Sequence, residues 1–319
     1  MVFHHTDQHR AVVVYDTGCL LSTILAEAYK RCLPNGHFID FNQQTPEEIR
    51  GVLNSLNPSD FVALVQSKSF RLDAFRLRVE LFKLKLKVIE HPHLSRMSDD
   101  EAPYYIDSLA YDPDYYRRVG RALKTKIDNA TSGLLDSGGE FLVYGSPFES
   151  AKVNIGDYTG MNNMGGQFPL GEVFTEAQDL RAVHGRVKIF CFGDVTYKIN
   201  YPETPITLII EQGQVVACEN STPDFDQIIS NIRTDEGTVW VRELGFGLNR
   251  AFSKTRTVAD TGTYERMCGI HFSLGAKHGT YGKPGFKRRD GIYHVDVFAD
   301  TQTFSLDNEI IYKDGAWIV

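Results

Sequence analysis

Two hydrophobic periods run through this chain, and the point at which one of them stops is the strongest constraint on its fold. Apolar residues at every second position mark a half-buried strand, and a spacing of three and four marks a helix. Over the first third the two alternate. Ala11-Val12-Val13-Val14-Tyr15 reads as a strand, and Leu20–Cys32 has helical spacing that stops at the turn signal Leu33-Pro34-Asn35-Gly36. A second strand is expected over 37–41. Thr45-Pro46-Glu47-Glu48 then supplies an N-cap, a proline at the first helical position and acids in the first turn, opening a helix to about residue 56. Strands over 61–66 and 84–89 flank a helix over 72–82. A loop follows around His91-Pro92-His93, and Asp112-Pro113 opens a last helix to about residue 135. Repeated strand–helix–strand units predict a parallel sheet covered by helices.

After Asp136-Ser137-Gly138-Gly139 glycine becomes frequent and helical spacing becomes scarce. Short β-branched and aromatic runs recur over 140–144, 187–192, 207–211, 214–219, 238–244, 269–274, 291–298, 309–313 and 317–319, with one helical stretch over 224–232. That texture predicts a mostly antiparallel β domain. The expected fold class is therefore an N-terminal parallel α/β domain, residues 1–137, followed by a β-rich domain, residues 138–319. A chain of 319 residues has room for two such cores.

The charge balance narrows the partners. With 34 basic and 41 acidic residues the net charge is −7, which disfavours nonspecific nucleic-acid binding and adhesion to anionic membranes. The start of the chain is polar and rich in histidine (His4, His5, His9), and its first apolar run is too short for a signal or a membrane span. Cys19, Cys32, Cys191, Cys218 and Cys268 are odd in number and widely spread, so they read as reduced core thiols of a cytoplasmic protein.

The ionisable residues of the second half carry the chemistry. In Tyr293-His294-Val295-Asp296-Val297-Phe298 the strand period puts His294 and Asp296 on one face, with Phe298 behind them. Burying an imidazole beside a carboxylate is costly unless something compensates them. A mutual hydrogen bond does so in many proteins. A divalent cation does so at metal centres, because both groups are ligands for zinc, iron, manganese and cobalt. Glu172 sits in Gly171-Glu172-Val173-Phe174-Thr175 between turn residues and a hydrophobic pair. Glu243 takes an apolar place in Val239-Trp240-Val241-Arg242-Glu243-Leu244, and His271 does the same in Ile270-His271-Phe272-Ser273-Leu274-Gly275. Taken singly, these are a solvated loop acid, an arginine-paired acid and a core histidine. Together they set one shared metal site against five separate accidents. The basic run Lys283-Pro284-Gly285-Phe286-Lys287-Arg288-Arg289 is either a solvated loop or a cation source for a substrate carboxylate. No GxxxxGK[ST], GxSxG or HExxH motif occurs, and Gly245-Phe246-Gly247 lacks the third glycine of a dinucleotide fingerprint.

At this point the chain resembles a family. Phe168-Pro169-Leu170-Gly171-Glu172-Val173-Phe174-Thr175 is similar to a signature of the aminopeptidase T/S family of dinuclear metallopeptidases. The likeness continues in order with Glu243, the strand His271-Phe272-Ser273-Leu274-Gly275, and the closing His294-Val295-Asp296. It covers roughly residues 140–300 and hardly touches the N-terminal domain. The resemblance implies two divalent ions (zinc, cobalt or manganese) held by Glu172, Glu243, His271, His294 and Asp296, with Glu243 or Asp296 bridging. It implies a small peptide or other small-molecule substrate and a homodimer. Glu243, if not a ligand, would be the general base. Where the family has a tyrosine this chain has His278, with Tyr281 three residues on, so either would donate to the oxyanion in its place. The same fold group is similar to the 2,5-dihydroxypyridine 5,6-dioxygenases, which implies instead a single Fe(II) on His271, His294 and Asp296. A non-catalytic member of the fold is the third possibility.

Overall fold

The computed structural model describes residues 2–3, 5–72, 75–161, 163–283, 286 and 291–319. They form a mixed α/β chain with a β-rich part and divide into two compact units. The first comprises Met1–Pro113, Gly156–Leu170 and Val258–Asp260, and the second Asp114–Ile155, Gly171–Thr257 and Thr261–Val319.

A five-stranded, all-parallel sheet forms the first unit, in the order Met164–Gln167, Lys87–His91, Phe61–Val65, Ala11–Tyr15, His37–Asp40. Phe61–Val65 is buried throughout, as a central parallel strand requires. Val12, Val14, Val62, Leu64 and Val88 meet the helix residues Ile49, Leu53, Leu77 and Leu81 in one core. The helix Pro46–Asn54 starts as its sequence dictates. Thr45 Oγ1 accepts from the Glu48 amide at 3.3 Å, and Glu48 Oε2 accepts from the Thr45 amide at 2.8 Å. His91 ends its strand fully buried, between the hydroxyls of Tyr29 and Tyr105, each 2.9 Å from a ring nitrogen. Burial pushes its pKa down to about 3, so the ring is neutral.

Several element boundaries differ from those expected. The helix expected over 72–82 is confined to Leu77–Lys83, after a short hairpin that pairs Arg71–Leu72 with Phe75–Arg76. The strand expected over 84–89 begins only at Lys87. The amides of Leu84 and Lys85 still bond back to Leu81 and Phe82, and Lys85 takes a left-handed conformation (φ 56°), so a turn occupies those positions. Residues 164–167, for which no element was expected, form an edge strand. Gly165 makes that possible, since a Cβ there (φ 121°) would overlap the Val88 carbonyl of the neighbouring strand. The helix Ala102–Ser108 was not expected.

The second unit is built on a 14-stranded sheet whose pairings are antiparallel. The helix opened by Pro113 stops at Asn129 rather than near 135, because Thr131 and Ser132 are tied by their amides and hydroxyls to the Asp307 carboxylate. Leu134 and Leu135 are thereby freed for the strand Gly133–Asp136. Towards one end of the sheet, Glu172–Thr175, Val241–Gly247, Gly269–Leu274 and Val295–Ala299 lie side by side in that order. The last three are buried along their whole length. Gly245-Phe246-Gly247, expected to follow a strand, lies inside one. All five cysteines are free, yet only Cys191 is a core thiol; Cys32 is exposed and the other three are half-buried. Among the described residues no helix is long and apolar enough to cross a membrane.

Candidate metal centre

Register brings the donors of the second unit together. Gly245 faces His271 across one ladder, and on the next His271 faces Phe298 while Ser273 faces Asp296. Glu172 opens its own strand, opposite Gly247. Glu243 lies where the pairing of Val241–Gly247 with Gly269–Leu274 slips between Val241 and Leu244. Such an irregularity re-aims a side chain that regular alternation would fix. Here the carboxylate points into the sheet interior, with only 8% of the residue exposed.

The distances define a compact cluster. His271 Nε2 lies 3.6 Å from Glu172 Oε1 and 4.0 Å from Glu243 Oε1. Glu243 Oε1 is also 3.9 Å from His294 Nε2, and its Oε2 is 3.6 Å from His278 Nδ1. His294 Nε2 lies 3.1 Å from Asp296 Oδ1. Two sets of donors can hold a metal ion: Glu172, Glu243 and His271, and Glu243, His294 and Asp296. In each the ligand atoms all lie within 4.8 Å of one another, and Glu243 belongs to both. A third such set joins Glu265 to His271 and Asp296.

Two features test whether these residues suit a cation. His271 Nε2 and Asp296 Oδ1 are buried and make no hydrogen bond, since the His294–Asp296 approach has ion-pair distance without hydrogen-bond geometry. Buried polar atoms are normally satisfied, so these two are where a ligand is owed. The donor set, carboxylates and imidazoles without thiolate, suits zinc, manganese, cobalt or iron. His294 is also correctly turned. Its Nδ1 lies 3.1 Å from the Lys277 carbonyl, which can only accept, so Nδ1 carries the hydrogen and Nε2 faces the carboxylates.

Electrostatics separates the three acids. Burial would raise the Glu172 carboxyl, but the Arg266 guanidinium, 3.1 Å from Oε2, with His271 beside it, holds the group below its ordinary range. Asp296 behaves likewise, with burial outweighed by His294. Glu243 has instead the more distant His294, at 3.9 Å, against it. Burial, opposed by His294 and reinforced by Glu172 and Asp296, pushes it up to about 7. For His294 burial works downwards, and Asp296 more than reverses it, raising the imidazole to about 10. His278 is pushed down to about 3, first by burial and then by His294.

The structure thus brings Glu172, Glu243, His271, His294, Asp296 and His278 to one place. Tyr281 stands apart in one respect. Its ring lies 5.1 Å from that of His278, but its hydroxyl donates to the Ser150 carbonyl at 2.8 Å, so it offers no free donor to the cluster. Arg266 and Glu265, which pair with each other, are residues that sequence reasoning missed. They lie between predicted elements, where no strand period indicates direction. The expected arginine partner exists, but it serves Glu172 and not Glu243. Of the basic run, Lys283 is bound to Glu149 and to the Ala177 and Gln178 carbonyls. Pro284, Gly285, Lys287, Arg288 and Arg289 lie outside the described residues, as does His4.

No protein-family model matches this chain, and no curated protein matches it. Its structure is similar to that of wild-type AmpT from Thermus thermophilus, with a TM-score of 0.58 and 13% sequence identity over 99% of this chain and 95% of that one. At that identity the likeness is one of fold: this chain and AmpT share an architecture from end to end.

Proposed function

We propose that the cluster is the centre of a metal-dependent hydrolase of the aminopeptidase T/S type, which removes the N-terminal residue of a small peptide or hydrolyses a related amide. The observation that carries this reading is the sharing of Glu243 between two donor sets, an arrangement suited to two ions held close together. The fold shared with AmpT supports it. So does the inward direction of both Glu172 and Glu243, which leaves the single-iron reading on His271, His294 and Asp296 with two unexplained carboxylates.

Bound divalent ions would polarise the scissile carbonyl and lower the pKa of bound water towards neutrality. The chain's own residues do the rest. Glu172 is kept anionic by Arg266, and Asp296 by His294, so both offer charged oxygens at neutral pH. Glu243, common to both donor sets, has its carboxyl pushed up to about 7 by burial, so binding of cations would also displace its proton. His278 stays neutral, and its Nε2 is buried with no partner. In this reading it would hydrogen-bond a developing oxyanion where the family resemblance expects a tyrosine.

Elemental analysis of protein purified without chelator tests the reading. About two equivalents of zinc, cobalt or manganese are expected; one of iron would replace the hydrolase with an oxygenase, and none would leave a non-catalytic fold. Release of leucine from leucine amide should vanish in His294→Ala, and activity that survives the substitution removes the metal mechanism.

A further inference from the structure

Beside the imidazoles lies a carboxylate that the proposed chemistry does not use. The helix Pro223–Glu236 ends on Asp235 and Glu236, capped by Gly237 in the left-handed conformation (φ 76°). Two acids in the last turn face the negative end of the helix dipole, so the helix itself gains nothing from them. Their partners lie elsewhere. Glu236 Oε1 accepts from the Ile292 amide at 2.6 Å and the Tyr293 amide at 2.8 Å, while Oε2 accepts from the Ala276 amide at 2.7 Å. Asp235 accepts from the Tyr293 hydroxyl at 2.6 Å.

These amides belong to two backbone segments, one running into His278 and the other into His294. Further bonds close the frame. The Lys277 amide donates to the Tyr293 carbonyl at 3.0 Å, and His294 Nδ1 donates to the Lys277 carbonyl at 3.1 Å. An unbroken hydrogen-bonded path therefore leads from Glu236 to the imidazole of His294. Hydrogen bonds to an ionised carboxylate are the strong kind, and three on one group fix the distance between the segments.

We infer that Glu236 is a positioning residue for the metal centre: by gathering the amides of Ala276, Ile292 and Tyr293 it sets where His278 and His294 stand relative to Glu243. The inference rests on the reading of those imidazoles as site groups.

Co²⁺ serves as the probe, in titrations read by visible absorption, alongside imidazole ¹H–¹⁵N spectra of the metal-free protein and the thermal midpoint. Glu236→Ala should weaken Co²⁺ binding about 10-fold or more, alter the Co²⁺ spectrum, and shift the His278 and His294 resonances. Glu236→Gln keeps one acceptor oxygen, enough for one segment but not both, and should fall between the two. If Glu236→Ala lowers the midpoint yet binds Co²⁺ with the wild-type affinity and spectrum and leaves both imidazoles unmoved, the residue is a structural tie only and the inference is overturned. If Glu236→Ala does not fold, Glu236→Gln carries the same readouts. If the wild-type protein takes up no Co²⁺, the hydrolase reading fails, and the imidazole spectra alone decide: shifted resonances support positioning, and unshifted ones refute it.

Discussion

His271 lies flat over a residue without a side chain, and the coordinating end of its ring occupies the space a Cβ would need. A methyl group at Gly245 would overlap His271 Cε1 and Nε2, so Gly245→Ala should swing the imidazole away and weaken zinc binding ~10-fold or more, read by competition with a chromogenic chelator. Unchanged affinity would remove His271 from the ligand set. In the first unit, His91 makes a prediction about pH. Its pKa is about 3 in the folded chain against 6.5 ordinarily, so between those values the unfolded chain binds a proton that the folded one does not. Its contribution is therefore present above pH 6.5 and is lost as pH falls, at ~1.4 kcal/mol per pH unit. Urea unfolding from pH 7 to 4.5 should show a steeper loss for wild type than for His91→Gln; parallel slopes would contradict the assignment. At this scale the sequence was informative wherever a strand period applied. His271 and Asp296 lie on strands that alternation predicts and His294 directly before one, while Glu243, singled out by its polar place in an apolar run, sits where the pairing slips.

Elements whose ends are set by local chemistry were legible from sequence, and those ended by distant partners were not. The box Thr45–Glu48 with Pro46 marks the start of Pro46–Asn54 because every group involved is within four positions. Thr45→Ala should accordingly cost about 1 kcal/mol, measured as a lower urea midpoint with an unchanged slope. By contrast, the helix Pro113–Asn129 is cut short by Asp307, about 180 residues away, and local propensity carried the expected helix too far. The strand Met164–Gln167 gave no signal of its own, since Gly165, a residue that weakens a strand, is what allows close pairing with Lys87–His91.

Across the whole molecule, the parallel-then-antiparallel order was legible because each layer type imposes its own period over many residues. The ion itself should be part of the folded protein's stability. With free zinc at about 100 times its dissociation constant, binding adds ~2.7 kcal/mol. The thermal midpoint should rise on adding zinc, fall back with EDTA, and fail to respond in His294→Ala. Loading should also release protons, because His294 sits near 10 before an ion arrives, and calorimetry in two buffers of different ionisation heat measures the number. The adjacency of the four donor-bearing strands has one more consequence. Each contributes a single donor, and His294 adds one from the residue just before the closing strand, so no local stretch of chain offers more than two. Loading would thereby be conditional on a finished sheet, and a chelator-resistant ion in a preparation would count only correctly assembled molecules.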